Sequence, residues 1–198
     1  ATPIDLFDTD IQTSFAMKVE KPFGEWTVAA FFNPDLAEPI EKSFSLKRLG
    51  LDRTKTYLAY DFWRQLFIGE VSGEVTASIP PGSVRLLSLH EKKGRPQFIA
   101  TDRHVLQGAI EIEHLEWDEA TKSLSGVSVG PPGTSHNVYV HVPGDHPWTW
   151  GGYALFRDYE SFTLKLVHNN IIQVHVRFDD SERAPWRIDV DEFFRVDQ

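Results

Sequence analysis

The sequence predicts an all-β protein made of two antiparallel β-sandwich units in tandem, of the immunoglobulin-like or Greek-key type. Three observations lead there. Apolar residues recur with period 2 rather than 3.6 in nearly every segment, which sets side chains alternately on the two faces of a strand. Clusters of Pro, Gly, Asn and Asp interrupt these segments at the short spacing of antiparallel folds. The length, 198 residues, holds two sandwiches of roughly 100 residues each.

In order along the chain, Gly24 to Asn33 (GEWTVAAFFN) places Trp26, Val28, Ala30 and Phe32 on one face, assigned to the core, while Glu25 and Thr27 begin the other. Strands follow over Ser43 to Leu46, Thr56 to Trp63, Gly73 to Ile79 and Ser83 to His90, with Lys47 to Thr54 and Pro80-Pro81-Gly82 as connections. Leu36 to Lys42 reads as loop rather than a helical turn, because Pro34 just before it and Pro39 within it argue against helix. Composition shifts near Thr101 to Gln107, so the units are divided as residues 1–104 and 105–198.

In the second unit Ile110 and Ile112 have one parity and Leu115 and Trp117 the other, which calls for a bulge near Glu113 if all four are buried. Trp117 to Lys122 is the turn of a hairpin whose return strand carries Leu124, Val127 and Val129. Ser135 to Val142 sets Val138, Val140 and Val142 opposite Asn137, Tyr139 and His141. Ile172, Val174, Val176 and Phe178 share a face opposite His175 and Arg177, and Trp186, Ile188 and Val190 close the series. No repeat period of a solenoid or propeller occurs.

Composition narrows the function classes. A formal charge of −9 opposes binding to nucleic acid or to an anionic membrane, both of which need a basic field. The absence of cysteine removes disulfides, thiolate nucleophiles and thiolate metal sites. No apolar run approaches the roughly 18 residues of a membrane-spanning helix, and Ala1-Thr2-Pro3 does not open a signal peptide. The only Met is Met17, which points to a processed product or a piece of a longer protein.

Among eight histidines, the densest group is His136, His141 and His146. A strand sends His136 and His141 to opposite faces, since they are an odd number of residues apart, and no tight His-x-His set precedes a carboxylate. No metal site and no cofactor are therefore expected. Asp61, in the apolar run YDFW, is the least ordinary acid, and a hydrogen bond to turn backbone accounts for it. A glycosidase needs two carboxylates facing each other across a sugar, and there is neither a Gly-x-Ser-x-Gly elbow nor a phosphate-cradling glycine loop. No catalytic residue is assigned. The candidate binding feature is PGDHPWTWGGY, residues 143–153, where Trp148, Trp150 and Tyr153 stand beside Asp145 and His146. Flat rings on a loop stack on the CH-rich faces of sugars while neighbouring polar groups take the hydroxyls. The competing reading is that these rings cap a sandwich or pack on another domain.

The runs EWTVAAFFNP (Glu25 to Pro34), LKRLGL (Leu46 to Leu51), YLAYDFW (Tyr57 to Trp63) and IPPGSVRLLSL (Ile79 to Leu89), in that order, resemble the C-terminal β-sandwich of α-galactosidase-like (melibiase-type) glycoside hydrolases. PQFIATDRHVLQG (Pro96 to Gly108) resembles the run that leads out of that sandwich in longer relatives. The resemblance covers about the first half of the chain. It implies that the catalytic aspartates lie on a (β/α)₈ barrel preceding the sandwich, so that no catalytic residue carries over to these 198 positions.

The resulting expectation is a non-catalytic accessory region of a glycoside hydrolase, whose partner is the catalytic barrel of the same parent chain. The second unit would extend the first. Trp26, Phe31, Phe62 and Trp63 would partly fill the first core and partly face the barrel, leaving an apolar patch on the isolated piece. Two other expectations compete: a carbohydrate-binding module using the aromatic loop, and an independent hydrolase with an unrecognised site. Compartment is open, and a polysaccharide-degrading parent would place the chain outside the cell or in a periplasm.

Overall fold

The computed structural model describes residues 1–8, 11–143, 156–168 and 170–189. The chain divides into two compact units, Ala1–Lys92 and Lys93–Gln198. This division precedes the 104/105 boundary expected from composition, because the strand Gln97–Thr101 hydrogen-bonds into the second unit's sheet. Among the described residues every regular element is a strand except one short 3₁₀ turn.

The first unit contains β1 (Thr2–Pro3), β2 (Ser14–Lys21), β3 (Gly24–Phe32), β4 (Ile40–Ser45), β5 (Tyr57–Asp61), β6 (Leu66–Val71), β7 (Glu74–Ile79) and β8 (Val84–Glu91). Six of them form an antiparallel sheet in the order β1-β2-β3-β8-β5-β6, and β4 pairs with β7 as a second layer. The core between the layers takes Ala29 and Phe31 from β3, Leu87 and Leu89 from β8, and Phe44, Val75, Ala77 and Ile79 from the β4–β7 pair. Phe31 stacks on Phe44 with ring centroids 5.4 Å apart. The 3₁₀ turn Leu46–Leu49 buries Leu46 and Leu49 in the same core, and Gly50 ends it at φ 75°, a conformation that favours glycine.

Period 2 locates β3 correctly but assigns its faces wrongly. Ala29 and Phe31 enter the core, whereas Phe32 is 43% exposed. Trp26 and Val28, on the expected face, are nevertheless buried. A strand that is apolar on both faces has no parity signal to say which face meets the second layer. The loop expected over Leu36 to Lys42 is shorter than predicted, since β4 starts at Ile40, one residue after Pro39.

The second unit contains β9 (Gln97–Thr101), β10 (Ile112–Asp118), β11 (Ser123–Val129), β12 (Thr134–His141), β13 (Phe156–Asp158), β14 (Phe162–His168), β15 (Ile171–Phe178) and β16 (Arg183–Asp189). They make a three-stranded sheet, β10-β11-β16, and a five-stranded sheet, β13-β14-β15-β12-β9. The β10–β11 register shifts between Ile112 and His114, where a bulge was expected, but not for the expected reason, since Ile110 is 58% exposed and Leu115 and Trp117 are only half-buried. The expected hairpin turn is present too, with Lys122 at φ 50° closing it. Val138, Val140 and Val142 are buried, as are Ile172, Val174, Val176 and Phe178 and, from β16, Trp186 and Ile188. Val190 lies outside the described residues.

Candidate functional site

The aromatic loop residues Trp148, Trp150 and Tyr153, with Asp145 and His146, lie outside the described residues. Of the other histidines in that segment, His136 and His141 are both buried on β12, an odd number of residues apart. Among the described residues no group of three or more His, Asp or Glu side chains could hold a metal ion.

Asp61, at the end of β5, is fully buried. Its Oδ1 accepts the backbone N–H of Arg64 at 3.2 Å, the turn hydrogen bond anticipated for it. Its Oδ2 stands 3.6 Å from Nε of Arg85, and that same Nε donates to the carbonyl of Ser78 at 3.0 Å. The carboxylate therefore stabilises a turn and a neighbouring guanidinium and reaches no solvent-filled space.

Sequence reasoning missed a polar cluster inside the second unit. Trp186 on β16 donates its Nε1–H to Ser128 Oγ at 3.1 Å, and Ser128 on β11 lies 3.0 Å from His136 Nε2 on β12. Ser128 Oγ accepts from the indole and shares one hydrogen bond with His136 Nε2, whose direction is set by the imidazole tautomer. Burial, then Arg103, then His175 push the His136 pKa down to about 4. Serine beside histidine resembles a nucleophile and its base, but Ser128 is completely buried and His136 nearly so. Its Nδ1 has no hydrogen-bond partner among the described residues, so no acid orients the ring as a base. The cluster joins β11 and β12, which belong to different sheets. No sequence signal announces it, because Ser128 and Trp186 are 58 residues apart.

A groove of about 860 Å³ runs along one end of the first unit, where β3 ends, β8 begins and the turn after β5 projects. Ile11 (72% exposed), Phe32, Leu36 (84%) and Trp63 (59%) line it, together with Arg64 and Arg85. The wall carrying Leu36 is fixed by buried Asn33, whose Nδ2 donates to the carbonyls of Glu38, Ile79 and Pro80 and whose Oδ1 accepts the N–H of Asp35. Gly82, at φ 57°, donates to the Asp35 carbonyl at 2.7 Å, and a Cβ there would meet Leu36 Cδ2 at 2.9 Å. Of the four aromatics expected to divide between core and outer surface, Phe31, Trp26 and Phe62 are buried and Trp63 is the exposed one.

A second hollow, of about 540 Å³, lies under the N-terminal segment of the same unit, lined by Ile4, Leu6, Phe7, Met17 and Leu49. Phe7 is 95% exposed. The charges at this hollow are engaged: Arg48 pairs with Asp8, and Lys18 with Glu20 and Glu25. A smaller hollow beside it contains Glu25, Asp52 and Glu91. Glu25 is paired with Lys18, Glu91 with Lys55, and Asp52 accepts the N–H and hydroxyl of Thr54.

Residues 22–89 match the family described as the alpha galactosidase C-terminal beta sandwich domain. The matched stretch runs through β3 to β8 of the first unit and does not reach the second. It contains the four runs on which the resemblance rests. No curated protein matches the chain.

Proposed function

We propose that this chain is a non-catalytic accessory region of a glycoside hydrolase, and that its first unit packs against and supports a catalytic barrel of the same parent protein. The observation that carries the reading is the family match over residues 22–89, which falls on both layers of one two-layered sandwich. The hollow around Leu6 and Phe7 supports it as well. Its surface is apolar and its flanking charges are already paired, which suits burial against protein, where an unpaired charge would be costly. The acids in the described hollows serve ion pairs and turns, and Asp61 is sealed in, so the division of labour assigns bond breaking to the barrel.

The test is to co-express residues 1–198 with a melibiase-type barrel that lacks its own C-terminal sandwich. The pair is expected to co-purify, with a higher thermal midpoint than the barrel alone, and Phe7→Ser is expected to weaken the association. Separate elution with an unchanged midpoint overturns the reading. The alternative, a carbohydrate-binding module built on Trp148, Trp150 and Tyr153, rests on the composition of residues 143–153. Sugar binding that disappears when Trp148 and Trp150 are both replaced by alanine would favour it.

A further inference from the structure

The two large hollows of the first unit differ in chemistry. Under the N-terminal segment the charged side chains Lys18, Arg48 and Asp8 are paired, whereas along the Trp63 groove polar groups stand without described partners. Among the described residues neither the Trp63 indole N–H nor the Arg64 guanidinium has a hydrogen-bond or ion-pair partner. Among the described residues two arginines and no carboxylate line this groove, in a chain whose formal charge is −9. Asp61 is buried beside Arg85 and forms no described ion pair with the Arg64 side chain.

The groove is also built rigidly. Buried Phe62 meets the Trp63 ring edge-on, with centroids 4.8 Å apart and planes at 77°. The turn beneath is closed by the Arg64 N–H to Asp61 and by the Gln65 N–H to the Phe62 carbonyl. Arg85 is tethered at Nε, and Asn33 and Gly82 hold the opposite wall. A platform held in place before binding loses little entropy when a ligand arrives. Its volume falls within the range of small-ligand sites.

We infer that this groove binds an acidic oligosaccharide, with a sugar ring stacked on Trp63 and a carboxylate directed to Arg64 and Arg85. An aromatic face takes the CH side of a pyranose, the free indole N–H donates to a hydroxyl, and a guanidinium pairs with a uronate in two parallel hydrogen bonds. A neutral sugar would leave Arg64 without a counter-charge among the described residues, Arg85 already standing beside Asp61. The site goes beyond the accessory reading and stands or falls separately from it, since it needs no barrel.

The experiment titrates the full chain with trigalacturonate and, in parallel, with a neutral galactose trisaccharide, following tryptophan fluorescence. The acidic trisaccharide is expected to change the emission, to bind at least tenfold more tightly than the neutral one, and to weaken as salt is raised. Trp63→Ala, at an exposed position, is expected to reduce binding at least tenfold. Arg64→Gln is expected to reduce it severalfold and to narrow the preference for the acid. Unchanged far-UV circular dichroism verifies the fold of each variant. The inference is overturned if neither sugar binds, if binding is unchanged in Trp63→Ala, or if the neutral sugar binds as well. It is equally overturned if Trp63→Ala abolishes self-association of the chain, for the groove would then be a protein-docking face.

Discussion

In the first unit a buried carboxylate, Asp61, keeps a counter-ion, Arg85, whereas the second unit buries a histidine, His136, that has shed its charge. Both are almost completely withdrawn from solvent. A buried ionised group has to be paired or neutralised, because its desolvation otherwise costs several kcal/mol. A carboxylate beside a guanidinium takes the first route. An imidazole among Ser128, Trp186 and Phe178, with the cationic Arg103 nearby, takes the second. The difference teaches where each unit is vulnerable: the first to loss of a partner, the second to gain of a proton.

The largest effect is expected from breaking the pair in the first unit. Asp61→Ala leaves Arg85 without its partner and the turn without its acceptor, and should cost about 3–5 kcal/mol in urea unfolding. Asp61→Asn keeps an oxygen for the Arg64 N–H and should cost less. A loss under about 1 kcal/mol for the alanine variant would place this pair among exposed ion pairs instead.

Next comes acid. In the unfolded chain His136 takes up its proton near pH 6.5, and in the folded protein only near 4. Between these values the unfolded state binds more protons, so stability is fully present above pH 6.5 and falls as pH drops toward 4. The loss is on the order of 3 kcal/mol. Unfolding free energies measured from pH 7 to 4 should show that slope in the wild type and lose most of it in His136→Gln. An identical slope in both proteins would remove His136 from the account.

The smallest of the three concerns packing around the same cluster. A Cβ at Gly126 would lie 2.4 Å from Trp186 Cζ2 and 3.0 Å from Leu115 Cδ2. Gly126→Ala should therefore push the indole off Ser128 and destabilise by about 1–3 kcal/mol. Thermal melts together with tryptophan emission would register both the loss and the displaced ring. A neutral result would mean that β11 and β16 shift apart at little cost.

Much of the second unit was legible in advance. The turn ending at Lys122 and the buried faces of β12 and β15 follow from parity and turn chemistry, which neighbours in sequence determine. The strands Ser14–Lys21, Leu66–Val71, Gln97–Thr101 and Phe162–His168 were not legible. In Gln97–Thr101 every residue is buried, so no alternation marks it, and the unit boundary was accordingly placed after this strand rather than before it.

For the sites, the turn role of Asp61 could be read from its place in YDFW. The aromatic loop was chosen for its composition, which ring stacking makes conspicuous in sequence. By contrast, the Trp63 groove draws on Ile11, Leu36, Trp63 and Arg85, which are far apart in the chain and share no motif.

By itself, then, the sequence determined that this is a strand-built protein, where several of its hairpins turn, and which family its first unit resembles. These depend on local sterics and on the two-residue repeat of an extended backbone. Only the tertiary structure decided that Ala29 and Phe31 rather than Ala30 and Phe32 enter the first core. It alone brought Ser128, His136 and Trp186 into one cluster and Trp63, Leu36 and Arg85 into one groove. Those outcomes depend on register and burial between distant segments, where apolar residues on both faces of a strand leave the local pattern without a preference.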